Sequence, residues 1–309
     1  MSSSQSDGAK GADAAAPPAV PRHAASVLLL REQQGALEVL LTRRHENMAF
    51  MGGMWVFPGG TLCAADLSAA SLALIPEPAR LQCHRLLDLD NGALPAATCM
   101  ALAIAAVRET FEESGVLLAT TADGHHCDDA KLARLHQRRG AIVSQPELFA
   151  TSLQEEHLQL DLRRLVYWSH WITPSLVPKR FDTRFFLASL PPQQVAAVDS
   201  IEATDMRWMT PAAVIAAARD GTMTVSRPTL YNLMELDASV RQHVALNAVL
   251  HAEAQRDVVP VLPKVLRGER RMIIMPWDTE YASFPGSGVS RDISYPQHLL
   301  TLPSRISER

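Results

Sequence analysis

The chain has 309 residues, a hydrophobic content of 47% and a formal net charge of −4 at pH 7, enough for one large domain, or a domain with substantial additions, around a real core. That charge gives no reason to expect nucleic acid as a partner, and no apolar run approaches the roughly 18 residues of a membrane span. The cysteines Cys63, Cys83, Cys99 and Cys127 show neither C-x-x-C spacing nor a short secreted framework, so they read as buried or incidental thiols in a reducing, cytoplasmic setting.

Residues 1–22 are rich in Ser, Ala, Gly and Pro and read as a disordered tail without a signal-peptide core. Order is expected from His23. Ala25 to Leu30 forms a buried strand, Gln33-Gln34-Gly35-Ala36 a hairpin turn, and Leu37 to Thr42 the returning strand. The loop Phe57-Pro58-Gly59-Gly60 follows, and its glycines let backbone approach a bound phosphate or metal. Pro76, Pro78 and Pro95 then break the chain around a short helix expected over Ala79 to Leu87.

A longer helix carries Met100, Ile104, Val107 and Phe111 on an apolar stripe and ends where Gly115 can adopt a left-handed cap. Its last turns read Arg108-Glu109-Thr110-Phe111-Glu112-Glu113. Glu109, Glu112 and Glu113 stand at i, i+3 and i+4 and share one face. Three crowded anions repel one another, and a hard divalent cation relieves the repulsion. Mg²⁺ takes oxygen ligands at about 2.0–2.1 Å and keeps waters for substrate phosphates. A solvated helix end with an Arg108–Glu112 pair is the alternative.

The run His125-His126-Cys127-Asp128-Asp129 is not read as a zinc site, because adjacent loop residues seldom converge on one ion. Residues 130–164 read as a helical cap, with Leu132, Leu135, Leu158, Leu160, Leu162 and Leu165 facing inward. Strands are expected at Val166 to Ile172 and Arg180 to Leu187. In the second, alternation puts Phe181, Thr183 and Phe185 on one face and Arg180, Asp182, Arg184 and Phe186 on the other. Arg180 and Arg184 either pair with acids at the surface or grip substrate phosphate through planar guanidinium groups.

An acidic stretch with Glu202 and Asp205 precedes a strand bearing Trp208, and Thr210-Pro211 opens a helix to Arg219. From Arg227 one long helix is expected toward Ala254, with Val244 among its apolar residues, followed by strands within Val258–Leu266 and Arg271–Met275. No basic recognition face marks a DNA-binding regulator, so this part reads as a dimerisation or substrate-cap element that allows a homodimer.

Gly60, Asp66, Arg108, Glu109, Glu112, Glu113, Gly115 and Val116 together resemble the Nudix box of the Nudix hydrolase family, G-x5-E-x7-R-E-U-x-E-E-x-G-U with U aliphatic. Asp66 takes the first acid as Asp, Thr110 stands at a position more often aliphatic, and the run from Leu67 to Val107 replaces the seven-residue spacer. A box split in this way is similar to that of the subgroup related to the peroxisomal coenzyme A diphosphatases of animals. Leu40, Leu41, Thr42, Arg44, Gly53, Phe57, Pro58, Gly59 and Gly60 further resemble the pattern L-L-T-x-R-[S/A]-x3-R-x3-G-x3-F-P-G-G of coenzyme A hydrolysing Nudix proteins. His45 and Ala49 depart from it, Ala49 at the second Arg.

The resemblance implies an α/β fold, the Nudix α/β/α sandwich with a mixed central sheet, spanning residues 23–220 with an insertion at about 67–99. Residues 221–309 form a C-terminal helical extension and tail. It further implies a metal site of Glu109, Glu112 and Glu113 for Mg²⁺ or Mn²⁺. Arg108 orients the carboxylates, Glu112 is catalytic, and Glu202, with Asp205 behind it, is the candidate base. Arg44, Arg180, Arg184, Gly59 and Gly60 are the candidate substrate-binding residues. The expected substrate is a small nucleoside diphosphate derivative. Coenzyme A or acyl-coenzyme A, ADP-ribose or a dinucleotide, and a binding protein without turnover stay open, the last disfavoured because such a module has no need for self-repelling anions.

Overall fold

The computed structural model describes residues 18–48, 50–77, 79–80, 94–198, 203–243, 245–266, 268, 271–288 and 293–307. Strands β1 (Arg22–Gln33) and β2 (Ala36–Arg44) form the expected hairpin. Gln34 and Gly35 both have positive φ, 51° and 76°, the two-residue turn whose twist matches the flanking strands. Short strands β3 (Trp55–Val56) and β4 (Gly59–Thr61) follow, then a one-turn helix α1 (Ala69–Leu72) and the long helix α2 (Ala96–Ser114). β5 (Ala119–Thr121) leads to helices α3 (Asp129–Ser144) and α4 (Glu147–Glu155) and strand β6 (Leu158–Leu160). The strands β7 (Val166–Ile172), β8 (Phe181–Ser189) and β9 (Ala203–Met209) precede helices α5 (Pro211–Asp220), α6 (Arg227–Gln242) and α7 (Leu246–Glu253). Strands β10 (Pro260–Val261), β11 (Lys264–Leu266) and β12 (Met272–Ile274), the turn α8 (Gln297–Leu300) and β13 (Arg305–Ser307) close the chain.

The central sheet runs β10-β7-β8-β1-β2-β3, with β4 on the first half of β1 and β9 on β2. It is mixed: β1 and β8 are parallel, as are β10 and β7, and the remaining pairs are antiparallel. Val27 and Leu29 pack into one core with α2, α3 and α4, whereas Leu28 and Leu30 pack into a second with α5, α6 and α7. Burial on both faces explains the unbroken apolar run of β1, and gives the α/β/α sandwich.

Two elements differ from the sequence expectation. Leu158–Leu160, read there as helical, is a strand paired with β5. Leu158 and Leu160 point the same way with period two, while Gln159 is less buried. The single long helix toward Ala254 is two helices, since α6 caps at His243 with a non-helical φ of −125° before α7 begins. The chain after 221 also adds β10 to the central sheet. Most of the helix expected over Ala79 to Leu87, together with residues 1–17, Ala49, Val244 and Glu202, lies outside the described residues.

Helix α2 is buried over nearly its whole circumference. It stops at Gly115, whose φ of 72° is left-handed. A side chain there costs about 1–2 kcal/mol, so Gly115→Ala should lower unfolding stability by that amount in a urea titration.

Candidate active site

The site forms where the last turns of α2 meet β4. The Gly59 amide donates to Glu113 Oε2 at 3.3 Å, and a Cβ added at Gly60 would collide with the Glu109 carboxylate. The two fragments of the box, separated by the Leu67–Val107 run, thus come together.

Arg108 joins them. Its Nε and one Nη grip both oxygens of Asp66 at 2.8 and 2.9 Å, and the same Nη donates to the Thr61 carbonyl at 3.2 Å. Its other Nη donates to Glu109 Oε1 at 2.9 Å and Glu112 Oε2 at 3.1 Å. All five guanidinium donors are thereby used. Arg108 is 3% and Asp66 1% exposed. Burial works against the guanidinium charge, but the Asp66, Glu109 and Glu112 carboxylates outweigh it and hold the Arg108 pKa above its ordinary value. Burial pushes the Glu112 carboxyl up to about 7; Arg108 opposes this and the Glu109 charge adds to it.

The C-terminal end of α2 is held from outside. Arg139 on α3 donates to the Glu112 carbonyl at 2.8 Å and the Ala197 carbonyl at 3.1 Å, and the Ala197 amide donates to the Ser114 carbonyl at 2.8 Å. His136 contacts the Gly115 carbonyl at 2.8 Å and stacks on Phe111. Carbonyls that a helix end leaves without an internal partner, those of Glu112, Ser114 and Gly115, are thus engaged.

The glutamates open on a cavity of about 1340 Å³. Its lining includes Gly59, Gly60, Arg108, Glu109, Glu112 and Glu113, together with Arg44. Arg44 Nε is buried without a hydrogen-bond partner among the described residues. Arg22 also lines the cavity, although the sequence reading left it in the tail; β1 begins with it. The face of β8 that reaches the cavity is Phe181, Thr183 and Phe185.

Arg180 and Arg184 do not line this cavity; of the two readings left open for them, the structure shows pairing within the protein. Arg180 donates to the carbonyls of Thr173 at 3.0 Å and Ala19 at 2.7 Å. Arg184 pairs with Asp182 at 2.6 Å, which also meets His170 at 2.5 Å and His23 at 3.3 Å. Burial alone would raise the Asp182 pKa, but these partners hold it well below the usual carboxylate range. Alternation along β8 turns Asp182 and Arg184 away from the cavity, Arg180 stands just before the strand, and the sequence could not say which face met the site. Asp205 accepts from Arg207 at 2.9 and 3.1 Å and does not line the cavity.

The donor set fits a hard divalent cation. Three carboxylates lie on one helix face, and Glu112 Oε1 is buried with no hydrogen-bond partner among the described residues. As the side chains stand, with Glu109 and Glu112 turned onto Arg108, no three acidic, imidazole or thiol groups among the described residues enclose a metal position.

The family model described as the NUDT19 Nudix domain matches residues 11–236. The chain belongs to this Nudix family. It is 31% identical over 226 residues to the acyl-coenzyme A diphosphatase NUDT19 of Homo sapiens, covering 64% of this chain and 60% of that one. With the Gallus gallus protein of the same name, identity is 30% over 259 residues, covering 70% and 68%. The Xenopus laevis relative is 28% identical, and the match spans 59% of its length. A Nudix hydrolase structure from Alicyclobacillus acidocaldarius superposes with a TM-score of 0.54 at 25% identity, covering 71% of this chain and 92% of that one. No helix among the described residues is long and apolar enough to cross a membrane.

Asp66 departs from the Glu of the Nudix box but fills a definite place as the partner of Arg108. Breaking a buried pair from one side costs about 3–5 kcal/mol. Asp66→Asn should approach that loss of stability in chemical denaturation, with a parallel fall in activity.

Proposed function

We propose that the chain is a divalent-metal-dependent diphosphatase that cleaves coenzyme A or acyl-coenzyme A to 3′,5′-ADP and (acyl)phosphopantetheine. The observation that carries this reading is the meeting of Glu109 and Glu113 with the Gly59-Gly60 backbone, with Glu112 beside them, at the wall of one large cavity. The names of the vertebrate relatives agree with it.

Glu109, Glu112 and Glu113 would hold Mg²⁺ or Mn²⁺. When bound, the ion supplies charge neutralisation on the diphosphate and activation of the attacking water. Arg108 fixes the direction of the Glu109 and Glu112 carboxylates through its hydrogen bonds, a role that shapes ligand affinity without touching substrate. Gly59 and Gly60 lack the Cβ atoms that would collide with β1 and with the Glu109 carboxylate, so their backbone lies directly against the glutamates at the cavity wall. Arg44 offers a guanidinium that can grip two phosphate oxygens at once. The rest of catalysis is positioning and electrostatics. Glu202 is kept as the candidate base; it lies outside the described residues.

The test is a panel of free coenzyme A, acyl-coenzyme A, ADP-ribose and dinucleotides with Mg²⁺ or Mn²⁺, read by product mass. Release of 3′,5′-ADP from coenzyme A supports the proposal, whereas preferential cleavage of ADP-ribose moves the substrate and keeps the chemistry. Glu113→Gln retains side-chain shape and removes an anion, so kcat should fall by about 10²–10³-fold, the scale of losing one preorganised electrostatic group. Near-normal turnover at saturating metal would remove Glu113 from the ligand set. Coenzyme A should be cleaved more efficiently than 3′-dephospho-coenzyme A, and Arg44→Ala should narrow the difference. Equal wild-type rates on the two compounds would sink the 3′-phosphate clamp.

A further inference from the structure

The cavity is larger than a diphosphate site requires. At about 1340 Å³ it exceeds the roughly 300–1,000 Å³ common for small-molecule pockets. It also reaches both cores: the glutamates come from α2, on one side of the sheet, whereas Val225, Leu230, Val265 and Ile273 belong to the core on the other side and line the same space.

Val265 and Ile273 stand on β11 and β12, in a three-stranded antiparallel sheet completed by β13. They pair directly across the ladder, and Ile273 pairs in turn with Ile306. Their exposures are 4% and 5%. These strands lie beyond residue 236, where the family match ends. With Val225, Leu230 and buried Pro263 they give the wall an apolar surface, beside which Thr224, Ser226, Arg227 and Thr229 line the same space, so the apolar part suits a ligand segment without polar groups. Exposed Arg271 and Ser307 are the polar residues this part of the chain adds to the lining.

We infer that this apolar wall seats the aliphatic chain of a thioester substrate whose diphosphate lies at the glutamates, and that the β11–β12 pair sets the chain length accepted. The inference rests on the diphosphatase reading and assigns a specificity role to a segment outside the family match. Each methylene buried against the wall is worth about a fourfold gain in binding, and the gain ends where the chain meets β12.

The test compares free, acetyl-, octanoyl- and palmitoyl-coenzyme A in the full chain with Mg²⁺, using wild type, Ile273→Trp and Ile273→Ala. Wild type should gain in kcat/KM with chain length and then level off. In Ile273→Trp the ratio of palmitoyl to free coenzyme A should fall by at least about tenfold, as expected if two or more methylenes are excluded. In Ile273→Ala that ratio should rise. Ratios within one protein cancel a shared loss of folded enzyme. Wild-type rates independent of chain length, or ratios that stay at the wild-type value in both variants, overturn the inference. Calorimetric binding of the same ligands separates the two proposals. Chain-length-dependent binding that Ile273→Trp removes, without turnover by wild type, keeps the apolar wall and rejects the diphosphatase reading; binding that ignores chain length rejects the wall.

Discussion

Everything at the site depends on one buried guanidinium. Arg108 meets Asp66 with paired hydrogen bonds across 42 positions of sequence and divides its remaining donors among Thr61, Glu109 and Glu112. The same cation that balances the glutamates therefore anchors the strand and turn leading into the insertion. Lengthening a loop adds closure entropy only logarithmically. The 41-residue spacer from Leu67 to Val107 can stand where a short one would serve, provided its ends are fixed, and the Arg108–Asp66 pair with the Gly59–Glu113 hydrogen bond fixes them. Removing Asp66 would act on both the stability of the joint and the direction of the carboxylates.

A second constraint acts at the far end of α2. The carbonyls of Glu112, Ser114 and Gly115 meet Arg139, the Ala197 amide and His136 in turn. The Gln194 side chain both accepts from the Leu117 amide and donates to the Leu117 carbonyl. The segment before β9 is thereby tied to the helix that carries the glutamates. Rigidity from this side matters because a charge-dense helix end would otherwise fray: Glu109, Glu112 and Glu113 repel one another, and Glu112 is buried enough for its carboxyl to resist ionisation.

The parts legible in the sequence were those with strong local chemistry. Gly115 as a helix stop, Gln34-Gly35 as a turn and Thr210-Pro211 as a helix start each follow from backbone preferences that neighbours do not override. The Arg108 helix was legible because its spacing alone puts three carboxylates on one face. Leu158–Leu160 was not, since three residues are too few to separate period two from period 3.6. The two readings of Arg184 stayed open for a different reason: alternation fixed which residues share a face of β8 but not which face meets the cavity, and that is decided by how β8 lies beside β1.

The same topological reason hid the cavity's far wall. Val225, Leu230, Val265 and Ile273 come from separate segments, and nothing in the spacing of an apolar residue distinguishes a core position from a position lining a void. Packing makes the difference. The Trp55 amide donates to the Thr224 carbonyl at 2.8 Å and Trp55 bridges Val225 in parallel, which carries the start of α6 to the edge strand β3. β10 then joins the other edge of the sheet at β7. With the C-terminal chain attached at both edges, the polypeptide between them crosses the second face, where it packs into the core and brings Val265 and Ile273 to the cavity.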